Sequence, residues 1–184
     1  MTRLLIGFFL ALVIPVGVLA NTWQVIPAES QILWTAKWNT SPVHGGFNDF
    51  DATISFDMDH PELADLSVAV DIGSIYMDGQ DARTTLMGDN WFFAESFPKA
   101  QFSSQDVRHL GNGRYEAHGI LEIRGISQEL ILPFKLTIED DIARVEGGVT
   151  LDRTVFGLGK KGDVAKAVAD GVNVSVLVTA KKAP

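Results

Sequence analysis

Apolar residues alternate with polar ones along most of this chain. Ile32, Trp34, Ala36 and Trp38 alternate with Gln31, Thr35 and Lys37, and Phe50, Ala52, Ile54 and Phe56 with Asp51, Thr53, Ser55 and Asp57. The same period returns at Leu66–Ile72, Tyr115–Arg124, Leu130–Ile138, Val145–Leu151 and Val172–Val178, and more weakly at Ala100–Val107. A period of two is the spacing of side chains that share one face of a strand, so the pattern predicts eight strands, each with one apolar face. Turn signals separate them at His60-Pro61, Gly111-Asn112-Gly113, Gly125 and Asp140-Asp141. The gaps are too short for parallel crossovers, so neighbouring strands are expected to form antiparallel hairpins. Asp81–Met87 lacks the alternation and predicts a short helix. Asn90–Ala94 reads as a further irregular turn, and this excursion is expected to cover one end of the sheet. Asp163–Ala169 suggests a second short helix.

Eight such strands stack as a sandwich or close into a barrel. The apolar faces are rich in Trp and Phe and are interrupted by Ala36, Ala52, Ala117, Gly119 and Gly147. Side chains that small leave space where a packed core would want bulk. The expectation is an all-β fold, an eight-stranded antiparallel barrel with one or two short helices. Such a barrel either fills its interior with side chains or holds one small ligand. No internal repeat, low-complexity tract or linker divides the chain, so residues 21–184 are read as one domain.

The first twenty residues are read apart from that domain. MTRLLIGFFLALVIPVGVLA places Arg3 ahead of an uncharged apolar run, breaks it at Pro15 and Gly17, and ends Val-Leu-Ala before Asn21. That is the pattern of a cleaved signal peptide and predicts export to the periplasm. An uncleaved membrane anchor is the alternative. Without Arg3 the mature chain holds 14 basic and 23 acidic residues, a net charge of −9. An acidic surface repels phosphate backbones, so no nucleic-acid partner is expected. The absence of cysteine rules out disulfides and thiolate metal sites.

Motifs for chemistry are sparse. Gly157, Gly159 and Gly162 match G-x-G-x-x-G, but twenty residues beyond Gly162 the chain is nearly at its end. There is no room for the βαβ unit and acidic residue that a dinucleotide site needs. These glycines fit a loop at a barrel rim that needs positive φ or close approach. His44, His60, His109 and His118 lack metal-ligand spacing, and no G-x-S-x-G elbow occurs. His44-Gly45-Gly46 resembles the oxyanion glycines of some lipases, but conformational freedom between the first two strands explains it as well. Arg83 and Arg153 are either head-group contacts near a barrel mouth or structural partners of an aspartate such as Asp81 or Asp163.

Four segments together resemble one family. Asp71–Ser104 (DIGSIYMDGQDARTTLMGDNWFFAESFPKAQFSS), Gly119–Leu130, Leu151–Gly159 and His44–Asp57 are similar, in order and spacing, to the signature segments of the YceI-like exported proteins. The resemblance implies a lipocalin-like, eight-stranded barrel that binds long polyisoprenoid chains, such as polyprenyl phosphates and isoprenoid quinones. Arg83, and Arg153 with Phe156 and Gly157, fall on the family's arginine elements. Thr84 stands where the family often has aspartate. The face that would line the lumen comprises Trp34, Trp38, Phe50, Ile54, Phe56, Val68, Val70, Phe102, Leu121, Ile123, Leu132, Phe134, Val174 and Val176. The implied function is non-enzymatic carriage or sequestration of an isoprenoid lipid, with no cofactor, no metal and no catalytic residue. A membrane-protein partner and a monomeric or homodimeric state are compatible with it. An enzyme acting on such a lipid, or a filled structural or stress-response barrel, are the alternatives.

Overall fold

The computed structural model describes residues 21–184; the expected leader, residues 1–20, lies outside them. The strands are β1 (Thr22–Val25), β2 (Gln31–Trp38), β3 (Ser41–Phe47), β4 (Phe50–Ser55), β5 (Asp65–Asp71), β6 (Ile75–Met77), β7 (Lys99–Gly111), β8 (Arg114–Ile123), β9 (Ile126–Glu139), β10 (Ile142–Asp152) and β11 (Gly171–Lys182). Two α-helices join them, α1 (Gln80–Met87) and α2 (Gly162–Ala167).

Pairing reduces these segments to eight barrel strands. β1 and β2 both run antiparallel to β11, through Val25↔Ala180 and Trp34↔Val174, so they are successive lengths of one strand. The break between them is a 3-10 turn at Pro27–Glu29, where proline has no N–H to give to a ladder. β4 pairs with β1 and β3 with β2, while β5 pairs with β4 and β6 with β3. Each of those couples is again one bent strand. From β5 the sheet runs through β7, β8, β9 and β10 to β11 and closes on β1. Closure leaves no free edge around the floor, the end where β1 joins β4 and β11.

The eight alternating segments of the sequence are one length of each barrel strand. β1, β3 and β6 escape the periodicity because they are short or interrupted. β3 carries Pro42, Gly45 and Gly46. Conformational freedom is not what His44-Gly45-Gly46 supplies between β2 and β4, contrary to the expectation from sequence. Gly45 and Gly46 have ordinary strand φ, and what they supply is close approach. A Cβ on Gly45 would strike the Trp34 ring and the Tyr76 carbonyl, and one on Gly46 would lie 2.6 Å from the Tyr76 hydroxyl. The weak period of β7 has a cause as well. A bulge between Ser104 and Asp106 shifts the inward positions from Ala100, Phe102 and Ser104 to Val107. The β8–β9 turn is Arg124-Gly125, with φ of 55° and 70°, the two left-handed residues of a tight hairpin turn.

One end of the barrel carries the β4–β5, β7–β8 and β9–β10 connections and forms the floor. At the other end α1, residues 88–98, a 3-10 helix at Arg153–Phe156 and α2 fold over the strands as a roof.

Candidate functional site

The inward face divides into two packed clusters with a space between them. The floor is built of Trp23, Phe56, Ala64, Val107, Tyr115, Ala117, Leu136, Ala143 and Ala180, all buried. Phe56 meets Tyr115 edge-on with centroids 5.5 Å apart, and Tyr115 stacks on Phe134, also at 5.5 Å. The Trp23 indole N–H donates to the Phe56 carbonyl at 3.0 Å, so this aromatic plug has its polar group satisfied. Burial pushes the Tyr115 hydroxyl above the ordinary phenol pKa. The roof cluster holds Ile72, Trp91, Ala100, Ile123, Phe156 and Leu158, with Phe47, Leu86 and Phe92 packed against it.

Between floor and roof lies a cavity of about 440 Å³, inside the range of roughly 300–1,000 Å³ usual for small-molecule sites. The polar side chains on its lining, apart from indoles, are Lys37, Asp81, Thr85 and Arg153. The exposed lining residues are Lys37, Trp38, Asp81, Thr85 and Val164. They gather where the end of β2, α1 and α2 meet, and so mark the mouth.

Of the fourteen lumen positions expected from parity, Trp34, Trp38, Phe50, Ile54, Val68, Val70, Phe102, Leu121, Ile123, Leu132, Val174 and Val176 line this cavity. Phe56 and Phe134 do not. Phe56 is 5% exposed within the floor plug. Phe134 packs against the same plug and faces an outer notch beside β10. Both occupy inward parity, but the barrel is filled at their level. Parity also passes over the lining from broken strands and roof, including Val43, Phe47, Met77, Leu86, Trp91, Phe92 and Val168. The Trp91-Phe92 pair in an otherwise irregular segment was the available signal.

Both arginines anchor the chain to itself. Arg153 is 5% exposed. Its Nε donates to the Ala169 carbonyl at 3.1 Å, Nη1 to those of Leu158 (2.7 Å) and Gly159 (2.8 Å), and Nη2 to those of Ala165 (3.0 Å) and Val168 (2.8 Å) and to Asp170 Oδ1 (3.0 Å). A guanidinium has five N–H donors, and these bonds use them all. The carboxylate partner is Asp170, not Asp81 or Asp163, and Trp91 covers the guanidinium at 5.4 Å. Arg153 therefore ties α2 and the Gly157–Gly159 loop into the roof and has no donor left for a ligand. The three glycines of that loop motif all have positive φ, and a Cβ on Gly159 would lie 2.6 Å from the Trp91 ring. Arg83 donates from Nε to the Ile75 carbonyl (2.8 Å) and from Nη2 to that of Gly73 (2.7 Å), which pins α1 to the bend before β6.

Trp34 is different. Its ring lies over Gly45 on the cavity wall, and its Nε1 is the buried side-chain nitrogen without an acceptor among the described residues. Leaving such a donor unpaired costs about 1–3 kcal/mol.

Known proteins share this architecture. BcnA of Burkholderia cenocepacia superimposes with a TM-score of 0.80 at 24% identity, covering 85% of this chain and 99% of that one. A polyisoprenoid binding domain from Saccharophagus degradans gives 0.68 at 10% identity, covering 90% and 100%. At these identities the likeness shows the fold. In sequence, a UPF0312 protein of Yersinia pestis is 30% identical over 95 residues, and one of Photorhabdus laumondii is 29% identical over 94. Those alignments span 52% and 51% of this chain, and about half the length of these curated relatives (49% and 48%). The family profile described as YceI-like domain matches residues 23–180, all of the barrel but Thr22 of β1 and Lys181 and Lys182 of β11, and the chain belongs to the YceI-like family.

Proposed function

We propose that this protein carries or sequesters an isoprenoid lipid, a polyprenyl phosphate or an isoprenoid quinone, in the lumen of its barrel. It does so without chemistry of its own. The observation that carries this reading is the apolar cavity of about 440 Å³ set between two packed clusters. An isoprenoid chain has no polar handles along its length, so an apolar tube holds it by burial alone. At roughly 0.8 kcal/mol per buried CH2 group, one five-carbon unit contributes on the order of 3–4 kcal/mol gross. Ordering the chain offsets much of this, so a few units are needed for useful affinity. Carriage outside the cytoplasm, after cleavage of residues 1–20, completes the proposal.

The polyisoprenoid-binding description of the Saccharophagus degradans domain supports the ligand class. The lining supports the absence of catalysis. Its carboxylate, Asp81, is exposed at the mouth, and its buried cation, Arg153, is fully engaged by backbone. Neither is placed to act as an acid or base within the lumen.

Native mass spectrometry of protein purified from its own host tests the proposal. The expected result is a co-purifying mass that organic extraction removes. Consistently ligand-free protein that also fails to take up an added isoprenoid quinone would overturn it.

A further inference from the structure

The hydrogen-bonded ladder of the barrel wall does not run unbroken along its whole height. β10 pairs with β11 through eleven residue pairs and β8 with β9 through ten, but β9 and β10 pair through six, Ile142↔Glu139 to Gly147↔Phe134. Above Phe134 and Gly147 each strand keeps its outer neighbour and loses the other. No ladder joins β9 from Ile126 to Pro133 to β10 from Gly148 to Asp152. The slit runs about 17 Å along β10 at the usual rise per residue. Its upper end is bridged by Arg124 Nη1, which donates to the Gly157 carbonyl at 2.9 Å.

Three observations meet at this slit. Its inner flanks, Leu130 and Leu132 on β9 and Val149 and Leu151 on β10, line the cavity. Directly below it on the outside is a notch of about 520 Å³, where Gly147 and Gly148 leave room beside Leu110, Pro133 and Phe134. On the outer surface Ile131 of β9 is 51% exposed beside the slit and Leu110 of the notch 50% exposed, set among the polar outward residues Ser127, Glu129, Thr150 and Asp152.

We propose that the slit is a second opening of the lumen, a lateral port through which the tail of an over-long ligand leaves the barrel and lies in the outer notch. This rests on the isoprenoid-carrier reading above. It extends that reading to ligand length. The lumen face of β11 from Val172 to Val178 spans only about 20 Å, and the floor plug blocks passage straight through. A tail of many isoprene units must turn back or leave through the wall. The ladder stops between β9 and β10, and Ile131 and Leu110 offer apolar surface outside it. The notch is lined by the apolar Leu110, Pro133 and Phe134 and rimmed by Arg114, Lys135 and Glu146.

The test is photo-cross-linking with two isoprenoid quinones that carry a diazirine at the tail end, one of two isoprene units and one of eight. The short probe is expected to label lumen residues such as Phe102 and Leu132. The long probe is expected to label Ile131, Pro133 or Leu110. Ile131→Glu, at an exposed site outside the lumen, should weaken the long probe roughly tenfold and leave the short one unchanged. Long-probe labelling confined to Trp38 and Val164 at the mouth would overturn the port and leave the carrier reading standing. So would a dimer in which a second copy's strand covers the slit. If neither probe labels the lumen, the carrier reading fails and the port with it.

Discussion

The floor and the lumen of this barrel are made from the same strands, the same parity and much the same residue types, yet one is solid and the other is hollow. Phe56 and Phe50 show the contrast. Both sit at inward positions of one strand run. Phe56 is locked between Trp23 and Tyr115, whereas Phe50 is half-buried on a cavity wall. The difference lies in what each faces across the barrel. At the floor β1 closes the ring and aromatic rings from several strands meet. In the lumen Ala36, Ala52 and a row of valines from β11 stand back from one another. Smallness alone does not decide the outcome. Ala36 and Ala52 leave space, but Gly119 is overlain by the Phe102 ring and Gly45 by the Trp34 ring. A missing side chain becomes a cavity only where no neighbouring ring leans into it.

The contrast can be broken at several points. The largest effect is expected at the roof. Arg153→Ala strips five backbone carbonyls of their donor, and should cost about 4 kcal/mol or more in urea unfolding. A loss below about 1 kcal/mol would show that water replaces the guanidinium without penalty. Next comes the matched pair. Phe56→Ala should cost about 3–5 kcal/mol by leaving a void in a packed plug. Phe50→Ala should cost roughly 1 kcal/mol, since it enlarges a space already present. Equal losses at the two sites would mean that floor and lumen do not differ in packing.

Filling the lumen reverses the effect. Ala52→Trp should lower affinity for an isoprenoid quinone at least tenfold by equilibrium titration, with stability moving less than about 1.5 kcal/mol. Retained affinity would place the ligand elsewhere. The smallest effect is at Asp152, which accepts hydrogen bonds from the Thr154 hydroxyl (2.6 Å) and backbone N–H (2.8 Å) at the start of the roof 3-10 helix. Those bonds, the side-chain one foremost, hold its carboxyl below the usual aspartate pKa. A folded pKa below the unfolded one stabilises above the unfolded value, and that stability is lost as pH falls through the folded value. Asp152→Asn should therefore be slightly less stable than the parent at pH 7 and equal to it at low pH. A melting-temperature difference that persists at pH 2 would assign the effect to something other than ionisation.

Much of this was legible in the alternation. A period of two depends only on chain geometry, so it reported the eight barrel strands and which residues of each point inward. The excursion at Asp81–Met87 stood out because it broke that period, and α1 lies there. The roof arginine was visible as a candidate, but not its role. Six acceptors from residues 158–170 converge on Arg153 only after β10, the 3-10 helix and α2 have folded back.

By itself, then, the sequence determined the parity of one length of each barrel strand, the antiparallel order and the interruption that became the roof, because each follows from residues close together in the chain. The tertiary structure decided which inward residues meet and which face empty space. That depends on closure through β1, on strand bends and on how rings from different strands lean across glycines. It also decided where the ladder between β9 and β10 stops, since pairing is a property of two strands at once and neither one's alternation records it.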